Sequence, residues 1–315
     1  MKSILKPASL FIAGMLTSIA IFLLTGFDKP LKKEGIRNKN RIENIKGNHW
    51  EVPKVPDSFS FAGENVPLER PEIWEYFDRN FTQIYYQTGT MLNVMKLTTR
   101  WFPMIEERLK FHGVPDDFKY LAIAESNLQN LTSRAGAVGF WQFMPETAKG
   151  YRMAVNNSVD ERYNVLKSTD AACKYLKEAY AQFGSWTAAA ASYNCGKAGY
   201  NSRAVHQGTK DYYSLQLPEE TNNYIFRILS FKYLFENADA LGYKIQPGDK
   251  YSPHNTRSIE VSSSIQNLPA FAKQHGTNYK VLKILNPWMR EKNLVVPGGR
   301  TYQVLVPEQI NAARR

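Results

Sequence analysis

The part of the sequence best suited to chemistry lies between residues 120 and 147. Glu125 follows an apolar helical run that includes Leu121 and Ala122, so we expect its carboxyl group to lie against hydrophobic surface at the end of a helix. Burial and the negative end of the helix dipole both raise the pKa of a carboxyl group. A glutamic acid that stays protonated near neutral pH can serve as a general acid. By itself, a lone glutamate at a helix end is more often a solvated surface residue.

The segment after this glutamate combines glycines, aromatic residues and an amide. Gly136 and Gly139 are predicted to frame a turn, and residues 140–143 then place aromatic rings around the amide of Gln142. Glycine lets the backbone approach a ligand closely, while aromatic rings and amides suit sugar faces and N-acetyl groups. The alternative is a turn followed by aromatic residues of the core, and taken singly this segment favours that alternative.

Two more polar segments adjoin predicted helices. Residues 192–196 close an Ala-rich helix, and residues 217–224 open another helix. Polar side chains at helix ends commonly cap backbone groups, so each segment alone could be purely structural.

The order and spacing of these pieces carry a specific resemblance. The sequence contains Glu125-Ser126, then Gly136-x-x-Gly139 followed by Phe-Trp-Gln-Phe-Met-Pro, then Tyr193-Asn194-x-Gly196, then Glu220-Thr221-x-x-Tyr224. From about residue 57 to 240 the chain resembles the family 1 lytic transglycosylases with the lysozyme-like fold, and in particular the membrane-bound lytic murein transglycosylase D group. Residues 61–68, 115–120 and 159–162 also match that group.

The resemblance implies that Glu125 performs both the acid and the base step. It would protonate the glycosidic oxygen between N-acetylmuramic acid and N-acetylglucosamine, while the substrate's own N-acetyl group stabilises the oxocarbenium-like centre. The carboxylate would then take the proton of the muramic C6 hydroxyl, which attacks C1 and forms a 1,6-anhydro ring without consuming water. Asp116, Asp117 and Glu146 are nearby in sequence, but we expect structural roles for them in the first turns of helices.

The resemblance also implies substrate-binding roles for seven residues. They are Ser126, Gln142, Met144, Tyr193, Asn194, Glu220 and Tyr224. Ser126 would help to position the acid, and Gln142 and Met144 would line subsites. Tyr193 and Asn194 would orient substrate near Glu125. Glu220 and Tyr224 would close the groove from the final helix, although Glu220 could instead serve only the dipole of that helix.

The hydrophobic pattern predicts a mainly α protein. From residue 71 to about 250 no alternating strand pattern competes with the helical one. Trp101, Ile105 and Leu109 recur at helical spacing and predict one buried face, and residues 168–170 and Ser185 are predicted helix caps. We therefore expect residues 57–250 to form an all-helical domain, which the resemblance identifies as a lysozyme-like catalytic domain.

The pattern changes after Pro253. Predicted strands at 257–261 and 302–306 flank predicted helices at 268–275 and 279–285, which indicates a small α+β module of order βααβ over residues 256–308. Residues 284–288 and 294–298 resemble a LysM module, which binds glycan in this group. Residues 261–264 depart from it, because Val-Ser-Ser-Ser stands where LysM usually has a Gly-Asp-Thr-Leu turn.

The positive charge of the chain lies at its ends. The formal net charge is +11, and residues 1–56 and 257–315 contribute a net +6 each, which leaves the middle nearly neutral. A nucleic-acid enzyme would more usually carry a basic face on its folded domain, so we expect no nucleic-acid partner. Residues 8–27 contain no charged residue and follow Lys2 and Lys6, which is typical of a signal peptide or membrane anchor over residues 1–27.

These features predict an exported, periplasmic protein that is held on the membrane by its N-terminal segment or released after cleavage. Residues 28–56 are rich in Lys, Asn and Pro and are predicted to form a basic linker. We expect a monomer that acts on the glycan strands of peptidoglycan as a lytic transglycosylase. Two alternatives stay open: a hydrolase of goose-type lysozyme character, and an inactive scaffold that binds the cell wall.

The two cysteines and five histidines give no sign of a metal or cofactor site. The histidines are scattered, and neither cysteine has a histidine nearby in sequence, so we expect no metal, no cofactor and no catalytic thiol. Cys173 and Cys195 lie on consecutive predicted helices, which in an exported protein favours a disulfide between them. The alternative is two buried thiols that behave as small apolar residues.

Overall fold

The computed structural model describes residues 51–308, and it begins with a β-hairpin. Strands β1 (Phe59–Phe61) and β2 (Glu64–Val66) pair antiparallel. The two residues of the turn, Ala62 and Gly63, have φ values of 53° and 81°. Two residues with positive φ match the right-handed twist of the flanking strands, which is why such turns close tight hairpins. The sequence pattern did not predict this hairpin.

Eight α-helices follow the hairpin within the described part of the chain, before its C-terminal module begins. They are α1 (Pro71–Tyr85), α2 (Thr88–His112), α3 (Lys119–Ser126), α4 (Pro145–Gly150), α5 (Val165–Phe183), α6 (Trp186–Cys195), α7 (Lys197–Gln207) and α8 (Glu219–Glu236). Helix α8 packs against α1, α3 and α6, and α5 packs against α2 and α6. The predicted mainly helical fold is therefore confirmed. As expected from their spacing, Ile105 and Leu109 of α2 are fully buried.

The predicted helix caps are only partly correct. Ser185 does cap α6, because its hydroxyl accepts a hydrogen bond from the backbone N–H of Ala188. Residues 168–170 do not cap a helix, since they lie inside α5. That helix begins one turn earlier, where the side chain of Asn164 accepts the backbone N–H of Lys167. An asparagine is as good a cap as serine or threonine, and it lies at the true start of the apolar pattern.

The C-terminal module (residues 256–308) has the predicted order. Strand β3 (Thr256–Val261), helices α9 (Leu268–Gln274) and α10 (Tyr279–Leu285), and strand β4 (Tyr302–Pro307) follow one another. The two strands pair antiparallel. Leu268, Leu282 and Val304 are fully buried in a small apolar core. The prediction of a βααβ module is confirmed.

The predicted disulfide is wrong. Cys173 and Cys195 are both free thiols, the first buried and the second half-buried. The thiol of Cys195 donates instead to the carbonyl oxygen of Ala191 in its own helix, and burial raises the pKa of the Cys173 thiol to about 12. The alternative interpretation, two thiols that pack as small apolar residues, describes the structure.

The predicted signal or anchor segment and most of the predicted linker lie outside the described residues. Between residues 51 and 308, the helices that the structure describes include none that combines the length and the apolar character needed to cross a membrane.

Candidate active site

Glu125 lies in the last turn of α3, as its sequence context predicts. The helix ends at Asn127, which has a left-handed φ of 53° and donates its backbone N–H to the carbonyl oxygen of Ile123 at 2.8 Å. The preceding residues Leu121, Ala122 and Ile123 are fully buried, so the Glu125 side chain emerges from an apolar part of the helix. Burial raises the pKa of Glu125 to about 7. This carboxyl group can therefore hold a proton near neutral pH.

Tyr224 is the direct partner of this carboxyl group. It lies on α8, is buried, and donates its phenolic hydroxyl to Oε1 of Glu125. That hydrogen bond favours the carboxylate and lowers the pKa of Glu125, which partly offsets the effect of burial. Burial and the neighbouring carboxylate raise the pKa of Tyr224 well above its ordinary value, so the tyrosine stays a hydrogen-bond donor.

Two charged residues of α8 adjust the acid further. The guanidinium of Arg227 lowers the pKa of Glu125, and the carboxylate of Glu220 raises it. Helix α8 thus acts on Glu125 through three side chains on one face, at positions that are three or four residues apart.

Ser126 does not face the cleft. It is buried, and its hydroxyl donates to the backbone carbonyl oxygens of Phe140 at 2.9 Å and Ala122 at 3.2 Å. The side chain therefore ties the end of α3 to the segment that follows.

The site loop (residues 127–144) connects α3 to α4. Its aromatic residues Phe140, Trp141 and Phe143 are all buried, and the indole N–H of Trp141 donates to the Thr169 hydroxyl at 2.8 Å. Of the two sequence interpretations, a turn followed by core aromatics is the correct one. The aromatic rings fix the loop to the protein, and the residues between and after them face outward.

Gln142 and Met144 are those outward residues. Gln142 has an unusual positive φ of 47°, and its amide N–H group donates to the carbonyl oxygens of Gly139 at 2.8 Å and Leu131 at 3.2 Å. These bonds fix the orientation of the amide across the loop. Met144 is the residue before α4, and 43% of its surface is exposed.

Tyr193 and Asn194 lie in the last turn of α6. The hydroxyl of Tyr193 donates to the carbonyl oxygen of Trp141 at 2.7 Å. The amide of Asn194 donates to Oε1 of Glu220 at 3.1 Å and accepts the hydroxyl of Thr221 at 2.7 Å. The end of α6 is therefore tied both to the site loop and to the start of α8.

The β-hairpin positions the other end of α6. The carboxylate of Glu64 accepts hydrogen bonds from the hydroxyl of Ser185 at 2.8 Å and from the backbone N–H groups of Trp186 and Thr187 at 2.6 and 2.9 Å. A carboxylate at a helix N-terminus satisfies its free N–H groups and interacts favourably with the helix dipole.

Comparison with known proteins agrees with this geometry. Residues 102–216 match the family described as "Transglycosylase SLT domain", and residues 257–310 match "Soluble lytic transglycosylase C-terminal LysM-like domain". The chain carries an SLT transglycosylase domain. A LysM-like domain follows it. The matched SLT range contains Glu125 and the site loop, together with Tyr193 and Asn194, while Glu220 and Tyr224 lie just beyond it.

Curated relatives extend the likeness along the chain. Proteins named "Membrane-bound lytic murein transglycosylase D" from two strains of Escherichia coli are each 26% identical over 261 residues, which is 80% of this chain. The aligned part is 56% of each relative, so the chain spans about half the length of the relatives it matches.

A cleft of about 550 Å³ opens between α1, α3 and α8, and its lining includes Ala124, the residue before Glu125. Most of the side chains that line it are polar. They include Arg79, Asn80, Gln83, Gln87, Asn127, Glu220, Asn223 and Arg227. Arg227 and Asn223 were not among the predicted site residues. Arg227 lies three residues after Tyr224 on α8, and residues i and i+3 share a face of a helix. That spacing was the available signal for Arg227 in the sequence.

The chemistry of the site is that of a single acid. The other carboxylates at this cleft have different partners: Glu220 accepts from Asn194, and Glu219 accepts from the amide of Asn223 at 2.8 Å. Asp116 and Asp117 form salt bridges with Lys119 and Lys232 at 2.5 and 2.7 Å. Within residues 51–308, no cluster of three or more His, Cys, Asp and Glu side chains is arranged to hold a metal ion.

Proposed function

We propose that this protein is a peptidoglycan lytic transglycosylase. It would cleave the β-1,4 bond between N-acetylmuramic acid and N-acetylglucosamine and leave a 1,6-anhydromuramic end, in the service of cell-wall turnover. The observation that carries the proposal is Glu125, one carboxyl group in an SLT domain with a pKa of about 7 and a tyrosine hydroxyl as its partner. The names of the Escherichia coli relatives support the same activity.

In the first step Glu125 gives its proton to the glycosidic oxygen, and the bond from that oxygen to C1 of the muramic sugar breaks. The N-acetyl group of the same sugar stabilises the cationic C1 from within the substrate, which is the known way to dispense with a second carboxylate. The hydroxyl of Tyr224 stabilises the carboxylate that forms on Glu125, because a hydrogen bond to a charged acceptor is stronger than one to a neutral acceptor.

In the second step the Glu125 carboxylate takes the proton of the muramic C6 hydroxyl as O6 forms a bond to C1. Glu125 is protonated again, and no water molecule is consumed. Attack from within the same sugar gains from proximity. Since the first step needs the protonated acid, we expect the rate to fall as pH rises through about 7.

The remaining site residues bind or position the glycan in this scheme. Gln142 and Met144 would contact the sugars from the site loop, and Tyr193 and Asn194 would do so from the end of α6. Glu220 has two roles, since it lies in the first turn of α8 and also fixes the amide of Asn194.

We also assign the protein to the periplasm, on the membrane or released from it. The charge-free residues 8–27 after two lysines support this, and so does the description of the relatives as membrane-bound. In this assignment residues 57–250 form the catalytic domain and residues 256–308 form the LysM-like module.

Replacement of the acid tests the proposal. Wild-type protein incubated with purified cell walls is expected to release muropeptides with anhydro ends, which mass spectrometry detects as products lighter by one water than hydrolysed ones. Glu125→Gln keeps the size of the side chain and removes the proton donor, so we expect release to fall by about 10²–10⁴-fold with the fold retained.

The matched control is Glu146→Gln, which changes an exposed glutamate in the first turn of α4 that forms a salt bridge with Lys149. It should leave product release unchanged. Full activity of Glu125→Gln would refute the mechanism. Products that carry a water would instead assign the chain to goose-type hydrolases, and binding to walls without any release would leave only a scaffold.

A further inference from the structure

The LysM-like module is joined to the SLT domain by backbone hydrogen bonds. The seam segment, residues 158–163, runs between α4 and α5. The backbone N–H of Asp160 donates to the carbonyl oxygen of Trp288 at 2.9 Å, and that of Arg290 donates to the carbonyl oxygen of Ser158 at 2.8 Å. Val159 and Met289 between them form an antiparallel bridge. The module therefore pairs with the seam segment as a short strand would.

An apolar cluster reinforces this pairing. Val159 and Tyr163 of the seam segment are buried in the same cluster as Trp288 and Met289 of the module. Val138, which belongs to the site loop, is buried in that cluster as well. The core of the module thus continues into the SLT domain and reaches the loop that carries Gln142.

A cation–π contact also joins the module to the seam segment. The guanidinium of Arg290 lies 4.0 Å from the centre of the Tyr163 ring. The same tyrosine bonds to the site loop, because its hydroxyl is 2.9 Å from the hydroxyl of Thr132 and its carbonyl oxygen accepts the amide of Asn130 at 3.2 Å. Tyr163 therefore touches the module on one side and the site loop on the other.

Arg162 connects the seam segment to the site loop most directly. Its guanidinium is buried, pairs with Asp160 at 2.8 Å, and donates to the backbone carbonyl oxygens of Gly136 at 2.9 Å and Phe143 at 3.0 Å. The planar fork of arginine donates to several acceptors at once, so one side chain fixes both ends of the turn that contains Gln142.

The site loop in turn contacts the helices that carry Glu125 and Tyr193. Its carbonyl oxygens at Phe140 and Trp141 accept the hydroxyls of Ser126 and Tyr193. A displacement of this turn would therefore move Gln142 and alter the contacts of two helices that carry site residues.

We propose that the LysM-like module is a structural component of the active site, and that Arg162 is the positioning residue that transmits its support to the site loop. The module would then act on the chemical step itself, in addition to any affinity for the cell wall. The proposal rests on the transglycosylase function proposed above, because it concerns the geometry of that site.

Two substitutions in the full-length protein test this inference. In the wild type, Nη1 of Arg162 donates to both carbonyl oxygens of the site loop while Nε and Nη2 hold Asp160. Arg162→Lys keeps a cation beside Asp160, but its single nitrogen cannot replace all of these bonds at once. Arg290→Ala removes the cation–π contact from an exposed position in the module. It therefore tests the contact between the module and the seam segment without altering a buried residue. The control is Arg257→Ala, a half-exposed arginine on β3 of the same module.

The substrate is a short, soluble, peptide-free strand of alternating N-acetylglucosamine and N-acetylmuramic acid, which requires no attachment to the wall. We expect kcat to fall about tenfold in Arg162→Lys and about threefold in Arg290→Ala, with KM within about twofold, because small misplacements of positioning groups act on the chemical step. The control should keep both constants.

A spectroscopic signal reports on the loop independently of activity. The protein contains six tryptophans, and 19F-labelled tryptophan gives a resonance for Trp141 that Trp141→Phe assigns. We expect this resonance to shift in Arg162→Lys and in Arg290→Ala, but to stay in place in Arg257→Ala.

An unchanged kcat and Trp141 resonance in both variants, together with weaker binding to intact sacculi, would overturn the inference and leave the module as a wall anchor alone. Should Arg162→Lys fail to fold, Arg290→Ala still decides the question. If wild-type protein yields no anhydro product from any substrate, the proposed function fails, whereas the Trp141 resonance still measures the coupling.

Discussion

The two halves of the candidate site are held in different ways. Glu125 and Tyr224 lie on helices α3 and α8, whose regular geometry and mutual packing bring the two side chains together. Gln142 lies on the site loop, where Gly136, Gly139 and Gln142 itself have positive φ values of 88°, 86° and 47°. A loop of that shape depends on contacts with distant parts of the chain. We therefore expect the helical half to act through charge and hydrogen bonding, and the loop half to act through shape.

The largest effect on stability that we expect comes from filling the space at Gly139. A Cβ atom there would lie 2.1 Å from the carbonyl oxygen of Arg162, in a backbone conformation with a φ of 86°. Gly139→Ala must displace the site loop or the seam segment, and we expect it to destabilise the protein by about 3 kcal/mol. For a protein of this size that corresponds to a decrease in Tm of roughly 6–12 °C, measured by calorimetry.

Gly136→Ala is the matched control for this prediction. Gly136 has almost the same φ, 88°, but a Cβ atom there would meet nothing within 4 Å. Only the backbone strain remains, so the loss should be about 1 kcal/mol. Equal losses in the two variants would mean that close contact with Arg162 does not hold the loop.

The next effect concerns the helical half. Tyr224→Phe removes the hydroxyl that donates to Glu125, so the pKa of Glu125 should rise above its value of about 7. The pH at which kcat/KM falls, the falling limb of its pH profile, should then be higher than in the wild-type protein. The maximal rate should decrease about tenfold, because the carboxylate that forms on Glu125 loses a charge-assisted hydrogen bond worth about 1.5–3 kcal/mol.

The measurement is kcat/KM from pH 5 to pH 9 on soluble glycan strands. Tyr200→Phe serves as the control, since Tyr200 is equally buried but donates its hydroxyl to the carbonyl oxygen of Lys210. A limb that stays in place in Tyr224→Phe, or moves to lower pH, would contradict the role of this hydroxyl.

The sequence predicted the helical half of the site far better than the loop half. Apolar periodicity located Glu125 at the end of a helix and predicted its raised pKa, since both follow from neighbours within one or two turns. The order of elements in the C-terminal module followed from local patterns in the same way. The strands β1 and β2 were missed because three-residue strands are too short to show alternation.

The failures concern contacts between distant residues. Cys173 and Cys195 lie on neighbouring helices, but sequence gives no distance between two side chains, and the structure has free thiols. The indole N–H of Trp141 in the site loop has its partner on α5, at the hydroxyl of Thr169, which lies 28 positions further along the chain. Arg162 connects to Gly136 across 26 positions of the chain, so no local pattern revealed it.

The smallest effect that we expect is electrostatic, and it separates the two halves most cleanly. Arg227→Gln removes a positive charge that lowers the pKa of Glu125, so the pKa and the falling limb of kcat/KM should move upward, though by less than in Tyr224→Phe. Arg227→Lys keeps the charge and is the control. Because Arg227 lines an open cleft, the thermal midpoint should stay within about 2 °C.

Gly139→Ala is expected to give the opposite pattern, in which the thermal midpoint of unfolding is lower and the pH at which kcat/KM falls is unchanged. This follows because no charge near Glu125 changes in that variant, whereas the packing of the site loop does. If Arg227→Gln lowered the midpoint as much as Gly139→Ala does, charge and shape would not be divided between the two halves. The pH limb and the thermal midpoint, measured on the same two variants, therefore decide whether the site is built from an electrostatic half and a steric half.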